Sequence, residues 1–182
     1  MKKPPKTVSP KTVPPGVPGH HWAADEIVAP SLLALKAWYD EARGQGTGAE
    51  RPMVPFAELP PVETLPGVTD LAIVEVRADG GYPYIATGEG YRRTVMVGGG
   101  PGLKPGPDGV VAETRPVIRQ HFGLAIAQRG PFHVSVTRWD GPKILQYDRL
   151  ILPLDDGGTG PEGGEITHLL VGEVFLRLAK TG

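Results

Sequence analysis

Cysteine is absent from the chain, which removes disulfides, thiolate metal sites, iron–sulfur clusters and cysteine nucleophiles together. Long apolar runs are missing as well. No stretch approaches the roughly 18 consecutive apolar residues of a membrane span. The basic start, MKKPPKTVSPKTVPPGVPG, has no apolar segment behind it of the kind a secretory signal needs. An excess of one charge is lacking too: 19 basic residues face 20 acidic ones, a formal net charge of −1. Such a balance gives no electrostatic pull toward nucleic acid or a membrane surface. The expectation is a cytoplasmic protein with no nucleic-acid or membrane partner.

What the chain has in quantity is backbone punctuation, 26 glycines and 21 prolines in 182 residues. They fall in blocks and mark segments. The length suits one domain with a tail. Residues 1–22 are rich in proline and lysine and poor in large apolar side chains, so they bury too little to offset the entropy of ordering. They are expected to be a disordered tail, and residues 23–182 a single domain.

Within that domain, Ala29–Arg43 (APSLLALKAWYDEAR) places Leu32, Leu35, Trp38, Tyr39 and Ala42 at helical spacing, with Pro30 suited to the first turn and Gly44 to the end. Prolines 55, 60, 61 and 66 then limit Val54–Val68 to a short helical turn near Phe56–Leu59. Leu71–Arg77 (LAIVEVR), a turn at Asp79-Gly80-Gly81 and GYPYIATGEGYRRTVMV read as a β-hairpin. Gly98–Gly109 is glycine- and proline-rich and lacks the strand-before, helix-after context and the suitably placed lysine that a phosphate-binding loop requires. Thr114–Arg129 reads as a second helix. Phe132–Arg138, Lys143–Leu154 and Ile166–Leu178 read as a three-stranded meander. In the first of these, Phe132, Val134 and Val136 face one way and His133, Ser135 and Thr137 the other. The last is apolar on both sides for part of its length, as a strand covered on both faces would be.

The order is helix, two strands, an irregular middle, helix, three strands. Locally, LLALKAWYDEARG ahead of RPMVPFAELP, then LAIVEVRADGGYPYIATGEG, then ILQYDRLILPLDDGG followed by ITHLLVGEVF, resemble the PAS-like domain family found mainly in alphaproteobacteria. The resemblance runs from about Pro30 to Leu178, and its most recognisable piece is Tyr147-Asp148-Arg149-Leu150-Ile151-Leu152-Pro153-Leu154. It departs in the middle, where Tyr84-Ile85-Ala86-Thr87-Gly88 stands in place of Tyr-Arg then Gly-Thr. What the resemblance implies is an α+β fold with a five-stranded antiparallel sheet, helices on one side, an added N-terminal helix, and a cleft between sheet and helices. The implied work is sensory or regulatory, through a small apolar or aromatic ligand or through an unidentified protein partner, without a fused output domain and without catalysis.

Tyr84, His121, Val134 and Tyr147 are the residues expected at the cleft. By the same resemblance His121 is a candidate haem ligand, since an imidazole on the flanking helix suits iron; its plain alternative is a core histidine. Leu32, Leu35, Trp38 and Tyr39 form a stripe that either covers the outer sheet face within the chain or joins two copies as a homodimer. His133 and His168, on strands, and His20-His21, in the tail, lack metal-ligand spacing. Asp148 and Arg149 point to opposite faces of one strand, each available for a bond across strands. Asp155 and Asp156 begin a glycine-rich turn, where aspartate bonds nearby backbone. Ser135 lies in no nucleophile elbow. The competing reading is a small α+β enzyme or carrier for a hydrophobic substrate, which a pairing of His121 with Asp148 or Glu89 would favour.

Overall fold

The structure is a computed structural model that describes residues 20–23, 27, 29–44, 51–91, 115–140, 143–158 and 163–180. The segment 98–109 lies outside the described residues. The elements in chain order are β1 (His20–Ala23), α1 (Pro30–Gly44), β2 (Val54–Pro55), three single 3₁₀ turns (Phe56–Glu58, Val62–Thr64 and Val68–Asp70), β3 (Leu71–Glu75), β4 (Tyr84–Thr87), α2 (Glu89–Tyr91), α3 (Arg115–Gln128), β5 (Phe132–Asp140), β6 (Lys143–Asp155) and β7 (Ile166–Lys180).

Six strands lie in the order β1-β5-β6-β7-β3-β4, and β2 pairs with β6 off this path. The hairpin β3–β4 and the meander β5–β6–β7 form one contiguous antiparallel block, joined where β3 pairs β7. The class is α+β, as expected, but the sheet is larger than five strands and mixed. Val54 and Pro55 run parallel to Leu154 and Asp155, taking the edge of β6 beyond the point where β5 begins. Pro55 tolerates this place because it lies on an edge.

The tail boundary also moves. His20, His21 and Trp22 do not belong to a disordered tail; they pair with Arg138, Thr137 and Val136 of β5. Four residues with no apolar alternation carry little strand signal of their own, and it is the open edge of β5 that recruits them. Of the predicted second strand, Tyr84–Thr87 form β4, and residues 92–97 lie outside the described residues. After Thr87 the chain turns into α2, where a side chain on Gly90 would sit 2.2 Å from Asp70 Oδ1 and 2.9 Å from the Thr69 carbonyl, so a glycine is needed for the close approach.

The central strands are covered on both faces, and the helices lie on opposite sides. Leu32, Leu35 and Tyr39 of α1 pack with Leu71, Ile73, Leu150, Leu152, Leu154 and Leu170. Ile118, Phe122 and Ala125 of α3 pack with Ala72, Val74, Ile151, Leu169 and Val171. The two sets alternate along β3, β6 and β7, the period of two that places neighbouring side chains on opposite faces. The resemblance implied helices on one side and an added N-terminal helix able to cover the outer face, and α1 takes the face opposite α3. With both sides of β6 buried, each large side chain there contributes about 1.5–3 kcal/mol.

Helix α1 starts where Pro30 supplies the fixed φ of a first turn, with the Ala29 carbonyl accepting from Leu32 and Leu33 N–H. Asp40 links Lys36 and Arg43 along its exposed side. Helix α3 ends at Arg129, whose φ of 51° is the left-handed turn usual after a helix.

Candidate functional site

The surface of the sheet under α3 carries the polar groups. Arg149 on β6 is opposite Val134 on β5 and opposite Glu173 on β7, all in register. Its Nε and Nη2 donate to one oxygen of Glu173, Oε2, at 2.8 and 2.6 Å. Its Nη1 lies 2.8 Å from Nδ1 of His121 on α3, and the guanidinium carbon sits 5.2 Å from the Tyr147 ring centre. Arg149 and Glu173 are 1 % exposed and His121 is 0 % exposed. Burial works against the charged guanidinium, but Glu173, with Tyr147 and Tyr91, more than offsets it and holds Arg149 above its ordinary value.

Guanidinium has donors and no lone pair, so Nδ1 of His121 must be the acceptor and the ring hydrogen sits on Nε2. That tautomer does not suit the proposed haem ligation: Nε2 has no lone pair to give iron, and Nδ1 is engaged by Arg149. The residues present do not fit a haem.

All four expected cleft residues do share this side. Tyr84 packs with the α3-side cluster and its hydroxyl accepts from Tyr91 at 3.2 Å. Burial pushes the Tyr91 hydroxyl well above its ordinary value, with Tyr84 and Glu173 adding to the shift. Val134 and Tyr147 pack together against Phe132, whose ring is 6.0 Å from that of His121. The residues that complete the group, Glu173 and Tyr91, have no role in the sequence reading. Glu173 did leave a signal, being an acid inside an apolar strand expected to be covered on both faces; such a group needs a buried partner.

Asp148 lies on the other side of the sheet. It accepts from Ser135 Oγ directly across the strand pair and from the Ala29 N–H at 3.3 Å, just before α1, and His133 Nε2 is 3.5 Å away. His121 and Asp148 are therefore on opposite faces and form no catalytic pair, and Glu89 is exposed on α2. The pairing that would favour an enzyme is corrected by strand parity: 148 and 149 point opposite ways. Asp148 instead ties the start of α1 to the sheet.

Asp155 and Asp156 do what turn aspartates do. Asp155 accepts from the Gly157 and Gly164 N–H groups, and Asp156 from those of Gly158 and Glu165. Leu32, Leu35 and Tyr39 are at most 1 % exposed within this single chain, so their assignment to an interface between copies gives way to a core role. Trp38 is half-buried against the same cluster, while Leu33, 48 % exposed, faces outward. The Tyr39 hydroxyl donates to the Pro153 carbonyl, and burial pushes its ionisation above the ordinary range.

His168 lies with its ring stacked on Phe56, centres 3.5 Å apart, opposite Glu75 on β3. Burial lowers its pKa, and Glu75 acts in the opposite direction. A histidine with a lowered native value binds its proton less readily folded than unfolded. Between that value and the unfolded value of about 6.5, the unfolded chain holds more protons, so stability rises with pH. The contribution is complete above about pH 6.5 and is lost as pH falls through this window. His168→Phe keeps the stack and is expected to flatten the urea midpoint against pH there; an unchanged slope would assign it to other groups.

Among the described residues, no cluster of three or more His, Asp or Glu is placed to hold a metal ion, and no helix is long and apolar enough to cross a membrane. Comparison with protein-family models, with curated proteins and with solved structures gives no match to this chain.

Proposed function

We propose that this chain is a PAS-like sensory or regulatory domain that works by binding a small apolar or aromatic molecule beneath α3, by contact with a protein partner, or by both. The observation that carries the reading is the make-up of one interior surface. Tyr84, Tyr91, His121, Val134 and Tyr147 come together with the Arg149–Glu173 pair under a single helix that crosses the antiparallel block of the hairpin and the meander. A layer meant only for packing would be apolar, since buried charge costs free energy that a hydrophobic core avoids. Aromatic rings around a few fixed polar groups are what a small-molecule site uses. Supporting regulation over turnover, His121 is enclosed and engaged by Arg149, Asp148 lies on the opposite face, and the carboxylate on its own side, Glu173, is bonded by Arg149.

Native mass spectrometry with absorption spectroscopy, on protein purified without an affinity tag, tests the reading. The expected result is a retained small-molecule mass that Tyr147→Ala releases. An unliganded dimer assigns the work to protein contact. A colourless, unliganded monomer at every concentration, with no partner captured by crosslinking in the source cell, overturns the reading.

A further inference from the structure

We propose that the outward face of α3 is a docking surface for an acidic amphipathic helix of a partner protein. This rests on the protein-contact arm of the reading above, and adds to it the surface used and the chemistry of what binds there.

The inner side of α3 packs on the sheet through Val117, Ile118, Phe122 and Ala125, all buried. The opposite side presents Pro116, Arg119, Gly123, Leu124 and Ala127 at helical spacing, all exposed, with Leu124 at 36 %. One exposed leucine alone signals nothing, and Leu33 on α1 is another. It is the company Leu124 keeps that sets this face apart.

Charge is the first difference. Across Arg115–Gln128 the helix has two arginines and no aspartate or glutamate. Arg115 stands at its start and Arg119 about one turn in, toward the end where the helix dipole is positive and disfavours a cation. Helix α1 balances its charges internally, with Lys36 and Arg43 both bonded to Asp40. A carboxylate brought to α3 from outside would meet the Arg119 guanidinium and the favourable end of the dipole together.

Gly123 is the second difference. Inside a helix glycine is less stable than alanine, and nothing lies within 4 Å of its Cβ position. Packing within the described chain therefore does not require a glycine here, in contrast to Gly172. With Ala127 one turn further on, it leaves a shallow, side-chain-poor strip beside Leu124, which lets a second helix approach closely.

An acidic helix fits this face better than the alternatives do. An isologous contact with a second copy would set α3 against α3 and arginine against arginine. A nucleic-acid backbone would satisfy Arg119 but offer nothing to Leu124 and Ala127, and the formal net charge of −1 adds no general attraction. A helix with glutamate and leucine one turn apart meets both parts. One helix face of 14 residues, about 21 Å long, falls short of the roughly 1,200 Å² of a stable interface, so the contact is transient, as regulation requires.

The test titrates the full chain with a designed helical peptide about 15 residues long, carrying glutamate and leucine on one face, and follows the backbone amides by NMR. The same peptide with lysine for glutamate, and a single-stranded oligonucleotide, serve as competitors. The expected result is that amides of Arg119 to Ala127 shift with the acidic peptide while those of α1 do not. Arg119→Glu is expected to weaken binding about tenfold or more, and so is a rise in salt from about 50 to about 500 mM. Leu124→Gln is expected to weaken it as well. Both positions are exposed, so an unchanged urea midpoint verifies that the variants fold. The proposal is overturned if α3 does not shift, if the lysine peptide or the oligonucleotide binds as tightly, or if α3 shifts with protein concentration alone. It is overturned too if Arg119→Glu weakens binding and Leu124→Gln does not, which would leave an anion site without docking. A small-molecule mass retained in native mass spectrometry is read without any peptide, so failure of this surface and failure of the ligand reading are told apart.

Discussion

Arg149→Ala is expected to cost about 3–5 kcal/mol of stability, because removing one partner of a buried ion pair strands the other. Glu173, 1 % exposed, would keep its charge with its main counter-charge gone, and His121 would lose the donor to Nδ1. Urea unfolding followed by circular dichroism measures the loss. The double variant Arg149→Met with Glu173→Leu should recover most of it, since an apolar pair of similar volume is often neutral or better than a buried salt bridge. The difference between single and double variants is the informative quantity. If Arg149→Ala costs less than about 1 kcal/mol, the pair behaves as a solvated surface bridge and the interior described above is wetter than its burial indicates. The pair is retained at a cost that packing alone does not explain, which is why it supports a role in binding or switching.

Gly172→Val has the next largest expected effect, and it acts on the opposite face. Helix α1 lies so close to β7 that a Cβ on Gly172 would be 2.5 Å from one methyl of Leu32, 3.2 Å from one of Leu35 and 3.4 Å from one of Leu71. All three leucines are buried at 0 to 1 % exposure and cannot turn aside. Overpacking of this kind costs about 1–3 kcal/mol, and valine presses two further methyls against the helix. The midpoint of urea unfolding should fall, with α1 amides losing protection before those of β6. Gly123→Ala is the control of opposite sign. Nothing lies within 4 Å of its Cβ position in α3, and alanine gains about 0.5–1 kcal/mol over glycine inside a helix. Equal effects from both glycines would mean that the close approach of α1 is not real.

Several features were legible because their physics is local. The spacing of Leu32, Leu35 and Tyr39 gives α1 and its buried side, and Gly44 its end. The alternation of Phe132 and Val134 with His133 and Ser135 gave the facing of β5, since Val134 packs with Tyr147 while Ser135 bonds Asp148 on the reverse side. The glycine neighbours of Asp155 and Asp156 mark them as turn formers, and they bond the backbone there. β1 and β2 carry little sequence signal for the converse reason. Each is a few residues whose strand geometry comes from a distant edge, β5 for one and β6 for the other. Likewise, His121 looked available for a cofactor because its neighbours in sequence do not include the residue that engages it, Arg149, 28 positions away.

By itself, then, the sequence determined the α+β class, most elements and the side of each strand that a residue occupies, because helical and strand periodicities act over a few residues. It also determined that Asp148 and Arg149 part company, a matter of parity alone. Only the tertiary structure decided that α1 and α3 take opposite faces, that β2 makes the sheet mixed, that Glu173 is the partner of Arg149, and that Arg149 engages His121. Those outcomes depend on the register between strands and on which helix is left to cover which face. Both are set by long-range packing, where a shift of one residue would reverse every side chain.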